Sequence, residues 1–276
     1  MLVEHVVMIV FPCAKINIGL RIVSKRSDGY HDLESLFYPL PLCDILEIGH
    51  LLPSCPFFVQ TGLLLACREE DNLVVKAFRL MQSRYSLPPV AIHLHKVIPS
   101  GAGLGGGSSD AAFMIRALNE FFHLDLSAGE MRSLALSLGS DCPFFIDAKP
   151  SLVKGRGELL FSFSLSLTGK YCVVVVPPFS VQTAEAYSLI QPRVPEKTLD
   201  GLLSEDISRW ENTVINDFEK PLFRKYSMLE NIKQSLYQQG ALYASLSGSG
   251  SALYGLFEEP VNIHFPGCFV WQGWLD

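Results

Sequence analysis

Five of the seven residues from Gly101 to Gly107 are glycine, and no other stretch constrains the chain so tightly. The run Pro99-Ser100-Gly101-Ala102-Gly103-Leu104-Gly105-Gly106-Gly107-Ser108-Ser109 follows an alternating segment, 91–97, and leads into an apolar-periodic one, 108–122. The order is therefore strand, loop, helix. Glycine tolerates positive φ and lets the backbone approach a ligand closely. The helix start adds unpaired N–H groups and the positive end of the helix dipole, which together hold phosphate oxygens. Ser108 and Ser109 supply hydroxyls for phosphate or for a phosphate-bound metal.

Three phosphate or turn motifs compete for this loop. A P-loop needs Gly-Lys-Ser/Thr, and no lysine follows these glycines. A dinucleotide fingerprint matches at Gly101, Gly103 and Gly106, with Asp125 about twenty residues on. However, Asp125 follows helical residues and leaves no room for a second strand to end there. A glycine turn with no ligand is the third possibility.

Elsewhere, 15–24 alternates as a strand with one buried face, Ile16, Ile18, Leu20 and Ile22, and a polar face that carries Lys15, Asn17, Gly19 and Arg21. Ser27-Asp28-Gly29 is a turn. Strands are expected at 44–48 and 57–60, and a helix at 72–85 with Asp71 as N-cap. Ser127 and Glu130 form a capping box that opens a helix ending near Gly139, and 140–146 starts a short element. Pro150, Gly155 and Gly157 mark a boundary, giving domains 1–150 and 151–276. The second half reads as strands at 171–176, 242–246 and 252–257, with helices near 184–190, 199–203 and 228–239, and Gly240 as a helix stop. Without strict strand–helix alternation, the class is α+β.

Hydrophobic residues make up 49% and charged residues 18%, enough for a real core. The net charge of −6 argues against nucleic acid and anionic membranes as partners. No apolar run is long enough to span a bilayer. The start lacks a basic segment and a cleavage site, so a signal peptide is not expected, and patterned sequence begins at Met8 rather than Met1. The seven cysteines, Cys55 among them, show no C-x-x-C pair and read as reduced thiols of a cytoplasmic protein. His93 and His95 share a strand face without a third ligand nearby, so they read as an exposed strand face rather than a metal site. Lys25, Arg26 and Lys96 read by default as solvated charge.

The run from Pro99 to Ala112 resembles the phosphate-loop motif of the galactokinase, homoserine kinase, mevalonate kinase and phosphomevalonate kinase (GHMP) superfamily. The segments 11–20 and 25–31, and Ser247-Gly248-Ser249-Gly250-Ser251, match further motifs in the expected order. With the triple glycine, they are similar to the branch acting on 4-diphosphocytidyl-2-C-methyl-D-erythritol in the non-mevalonate isoprenoid route.

The resemblance implies a two-domain GHMP-kinase fold, with an N-terminal ribosomal-protein-S5-like domain and a C-terminal ferredoxin-like domain. It also implies transfer of a phosphoryl group from ATP, with Mg²⁺, to the 2-hydroxyl of that substrate by a monomer or homodimer. Asp141 would accept the hydroxyl proton, although an Asp ahead of an apolar run is also a common helix cap. Lys15 would keep Asp141 ionised and offset charge in flight, and Asn17 would orient the substrate or the carboxylate. Pro99, Gly101, Gly103, Leu104, Gly105, Gly106, Gly107, Ser108 and Ser109 would hold ATP. Tyr30 would stack on the cytosine, His31 would hydrogen-bond it, and Tyr187 would cover its other face or pack in the core. Gly248 and Ser249 would line the site. Asn72 would approach adenine or start a helix. Another alcohol kinase of the superfamily and an NAD-dependent oxidoreductase remain alternatives.

Overall fold

The computed structural model describes residues 7–52, 56–65 and 67–275. Met1 and Cys55, named above, lie outside the described residues. In chain order the strands are β1 (Val7–Val10), β2 (Cys13–Lys25), β3 (His31–Cys43), β4 (Ile45–His50), β5 (Phe58–Gly62), β6 (Val90–Lys96), β7 (Ser151–Gly155), β8 (Leu159–Ser162), β9 (Tyr171–Val176), β10 (Tyr243–Leu246), β11 (Leu253–Phe257) and β12 (Phe269–Trp274). The helices are α1 (Leu73–Tyr85), α2 (Gly106–Phe121), α3 (Ala128–Leu136), α4 (Phe144–Asp147), α5 (Thr183–Ser188), α6 (Leu199–Leu203), α7 (Glu219–Lys225) and α8 (Ser227–Gln238).

The chain forms two compact units that are interleaved in sequence. The first takes the described residues up to Ala14, then Leu42–Ser100 and Gly105–Ala148; the second takes Lys15–Pro41, Gly101–Leu104 and the described residues from Lys149. Each mixes helices with strands, so the class is α+β.

In the first unit β1, β4, β6 and β5 form one sheet in that order, with β5 parallel to β6 and the other pairs antiparallel. Alternation along β6 buries Val90, Ile92, Leu94 and Lys96 and leaves Ala91, His93 and His95 half-buried on the other face. Helix α2 packs on β1, β4, α1, α3 and α4 through a buried stripe that includes Ala111, Met114, Ile115 and Leu118. The N-cap of α1 is Asn72, not Asp71: its side chain accepts the Val74 N–H at 2.9 Å. Asp71 instead closes the preceding turn and pairs with Arg68 at 2.9 Å. The Ser127–Glu130 capping box opens α3, which stops at Leu136, three residues short of Gly139.

In the second unit β2, β3, β7 and β8 form one sheet, and β10, β11, β9 and β12 form an antiparallel second. Strand β2 is buried on both faces, not one: Ile16, Ile18 and Ile22 are inside, and so are Lys15, Asn17 and Arg21. Helix α8 covers β10 and β11, with α7 against it. Gly240, at φ 94°, ends α8. Strands β7, β8 and β12 and helix α7 carried no clear sequence signal. Strand β7 lies inside the Pro150–Gly157 cluster read as a boundary, and Gly273 breaks the pattern of β12. Helix α7 tolerates Pro221 because it falls in the first turn.

Candidate active site

The phosphate-loop region is divided between the units. In the first unit, Gly105 at φ 73° takes the left-handed conformation that turns the chain into α2. No side chain caps this end, and the first-turn N–H groups of Gly106, Gly107 and Ser108 have no acceptor within the helix. Ser108 hydrogen-bonds the Cys142 thiol. The Ser109 hydroxyl is fully buried with no partner, so this turn holds unspent donor capacity beside the bare amides. Pro99 is half-buried at the loop's start.

Asp141 stands half-buried in a turn after α3, its carbonyl accepting the Phe144 N–H at 3.3 Å. The N-cap position of α4 is Pro143, so Asp141 is not the cap. Burial pushes the neighbouring Cys142 thiol up to about 11, which keeps it protonated beside this carboxylate.

Beneath the start of α2 lies a cluster that the sequence reading missed. Lys96, 2% exposed, donates to Asp44 and, at 2.7 Å, to Asp110. Asp44 also accepts the Val97 and Ile98 N–H groups at 2.6 and 2.9 Å. Lys96 is thus not solvated charge but the centre of a buried triad. Burial pushes the Asp110 carboxyl up to about 8, against the pull of Lys96 and with the help of the Asp44 charge. A Cβ on Gly106 would stand 3.0 Å from Ile98 and 3.4 Å from Lys96 Nζ, so the triad sits directly behind the amides of the turn.

In the second unit, Gly101–Leu104 runs against Ser247–Ser251. Gly103, at φ 79°, passes so close that a Cβ would lie 2.1 Å from the Ser247 carbonyl. Ser247 Oγ donates to the Gly103 carbonyl at 2.9 Å, and Ala252 N–H to the Ala102 carbonyl at 3.0 Å. Gly248 approaches the Gly103 backbone, its carbonyl held by Asn216 Nδ2 at 2.9 Å. Ser249 Oγ is 3.3 Å from Thr183 Oγ1. Lys15 is 3% exposed on β2, its N–H donating to the Leu104 carbonyl at 2.9 Å. Its ammonium donates to Asn17 Oδ1 at 2.6 Å and to the Gly103 carbonyl at 3.1 Å, and lies 4.5 Å from the centre of the Phe37 ring.

A second cluster in this unit is aromatic. His31 stacks on Tyr187, with centroids 5.0 Å apart and planes at 28°, and Tyr187 meets Phe218 edge-on. Tyr30 is exposed, and the Arg156 guanidinium lies 4.9 Å from its ring centre. Tyr187 thus contacts both His31 and Phe218, while Tyr30 carries a cation on its ring.

Asn72 serves as a helix cap, as above. Asp125 sits at φ 53° between α2 and α3 rather than at a strand end, which removes the acidic residue a dinucleotide fingerprint requires. Among the described residues no group of three or more His, Cys, Asp or Glu forms a metal cage, and His93 and His95 share Thr61 Oγ1 at 2.8 and 2.9 Å. The loop's amide donors suit an anion. Ser35 and Asn216, which hold the Lys15 side and the Ser247 side respectively, were also missed. A serine and an asparagine in apolar surroundings give no sequence signal without the fold.

The family model described as GHMP kinases N terminal domain matches residues 72–149, and that described as GHMP kinases C terminal matches 199–263. A protein of Parabacteroides distasonis named 4-diphosphocytidyl-2-C-methyl-D-erythritol kinase is 46% identical over 98% of this chain and 100% of its own length. A Bacteroides fragilis protein of the same name is 48% identical over 96% and 98%. A crystal structure of 4-(cytidine 5'-diphospho)-2C-methyl-D-erythritol kinase superposes with a TM-score of 0.78 at 33% identity, covering 92% of this chain and 91% of that one.

Proposed function

This chain belongs to the GHMP kinase family, and on that premise we propose that it is the ATP-dependent kinase of 4-diphosphocytidyl-2-C-methyl-D-erythritol, acting on the 2-hydroxyl. The observation that carries the reading is the 46% identity to a kinase so named along 98% of this chain and 100% of that protein. The uncapped amides and the unpartnered Ser109 hydroxyl at the start of α2 support a polyphosphate ligand.

Phosphoryl transfer asks the protein mainly to position groups and balance charge. The amides of Gly105, Gly106, Gly107 and Ser108, with the Ser109 hydroxyl, take ATP phosphate oxygens, and Pro99, Gly101, Gly103 and Leu104 shape the strap that continues this loop. Asp141 accepts the proton of the attacking hydroxyl as the new bond forms. Lys15 places positive charge where negative charge develops, with Asn17 setting the position of its ammonium. His31 and Tyr187 form the platform for the cytosine, joined by Tyr30; Gly248 and Ser249 line the acceptor side. Of this chain's groups, a loop serine hydroxyl, Ser108 or Ser109, would help hold magnesium, which would neutralise phosphate charge when bound. The free thiols of Cys13, Cys43, Cys67, Cys142, Cys172 and Cys268 suit a reducing compartment, the cytoplasm.

A coupled ADP-release assay tests this directly. The cytidyl substrate should turn over at least about a hundred-fold faster, in kcat/KM, than 2-C-methyl-D-erythritol 4-phosphate, homoserine or mevalonate. Equal rates with and without the cytidine, or preference for another alcohol, would refute it.

A further inference from the structure

We infer that Ser35 is a positioning residue for the phosphoryl transfer: it fixes the amide of Asn17 so that only Oδ1 faces the Lys15 ammonium. The inference rests on the kinase reading above but is built within the second unit alone. An ammonium donates hydrogen bonds and accepts none. The Asn17 atom 2.6 Å from Lys15 Nζ is therefore Oδ1. That choice turns Nδ2 toward Ser35, whose Oγ accepts at 2.9 Å. Having accepted, Ser35 spends its own proton on the Gly19 carbonyl at 2.6 Å. The chain of donors runs one way, from ammonium to amide to hydroxyl to carbonyl, and no link can reverse.

The setting leaves no substitute for Ser35. Its side chain is fully buried, as is Asn17, so water does not replace a lost link. The backbone of Asn17 is pinned on both sides: its N–H donates to Ser247 Oγ at 3.3 Å, and its carbonyl accepts from Tyr254 at 2.8 Å. What remains adjustable is the amide torsion, and Ser35 sets it. Without the hydroxyl, Nδ2 is orphaned in a buried site, the amide rotates to find a partner, and Lys15 loses its closest acceptor in this unit. Ser35 acts through Asn17 and Lys15; it is not a catalytic residue.

Ser35→Ala should lower kcat about ten-fold while KM for ATP and for the alcohol stays within about two-fold. Ser35→Thr, which keeps the hydroxyl, should recover most of the rate. In an Asn17→Ala background the same Ser35→Ala change should cost less than about two-fold, because the residue it acts through is gone. Equal factors in both backgrounds, or an unchanged kcat, would overturn the inference. Should Ser35→Ala not fold, Ser35→Cys, close in size and a poor hydrogen-bonding group, takes its place. A second readout needs no turnover. The Asn17 side-chain amide protons, assigned through Asn17→Asp, should exchange slowly with solvent in the wild type and rapidly in Ser35→Ala. Unchanged exchange would overturn the positioning role even if the enzyme proves inactive on the cytidyl substrate, whereas loss of protection in an enzyme inactive on that substrate would uphold the orientation of Asn17 by Ser35 and refute the kinase reading.

Discussion

Two lysines are buried to nearly the same degree, Lys15 at 3% and Lys96 at 2% exposure, one within each unit. Lys96, in the first unit, sits between the carboxylates of Asp44 and Asp110. Lys15, within the second unit, is held by an amide oxygen, a peptide carbonyl and the face of Phe37. A cation held between two buried acids is fixed in the structure. The groups around Lys15 within its unit include the Gly103 carbonyl of the loop itself. Lys96 builds the support behind the start of α2, and Lys15 is the lysine for which we propose a part in the chemistry.

Replacing each lysine by methionine, which keeps the bulk, breaks or sustains this contrast. Lys96→Met strands two buried acids and should lower unfolding free energy by about 3–5 kcal/mol in urea titrations. Lys15→Met should instead reduce kcat by about 10²–10³ with the smaller loss of stability. Reversed rankings would show that the two sites have been assigned the wrong way round.

A narrower test concerns Asp110. Its carboxyl, ordinarily near 3.8, is raised to about 8 in the folded chain, so between these values the native state holds a proton that the unfolded state has released. The stabilisation from that proton is complete below about pH 4 and is lost as pH rises through about 8. Relative to Asp110→Asn, the wild type should therefore lose stability between pH 5 and pH 9, conditions chosen to span roughly that window. Parallel stability curves would mean that Lys96 keeps Asp110 ionised throughout. The smallest effect is expected at Phe37. Phe37→Leu removes the aromatic face from Lys15, worth about 0.5–2 kcal/mol, and should slow turnover a few-fold while leaving thermal stability within a few degrees.

The same two lysines show where the sequence was legible. The glycine run, the extended course of β2 (though not its second buried face) and the Ser127–Glu130 box all rest on local chemistry, and local chemistry is written in adjacent residues. Lys96 could have been read as well. If His93 and His95 face outward, Lys96 shares the inner face of Val90, Ile92 and Leu94, and a buried lysine demands acids. Asp44 and Asp110, however, are separated from it by 52 and 14 positions, and nothing local names them as partners. Ser35 reaches Asn17 across 18 positions and was equally invisible. The glycine cluster after Ala148 marks one place where the chain passes between units. The passages at Ala14–Lys15, Pro41–Leu42, Ser100–Gly101 and Leu104–Gly105 occur within long strands or inside the loop itself, where no composition change accompanies them.

The contrast finally depends on Asp141 being the proton acceptor that Lys15's chemistry serves. The most direct measurement is single-turnover phosphoryl transfer by Asp141→Asn with ATP and the cytidyl substrate, alongside ATP affinity and thermal unfolding of the same variant. The transfer rate should fall by about 10²–10⁴ while ATP affinity and unfolding temperature stay near wild type. Transfer at the wild-type rate would contradict the assignment.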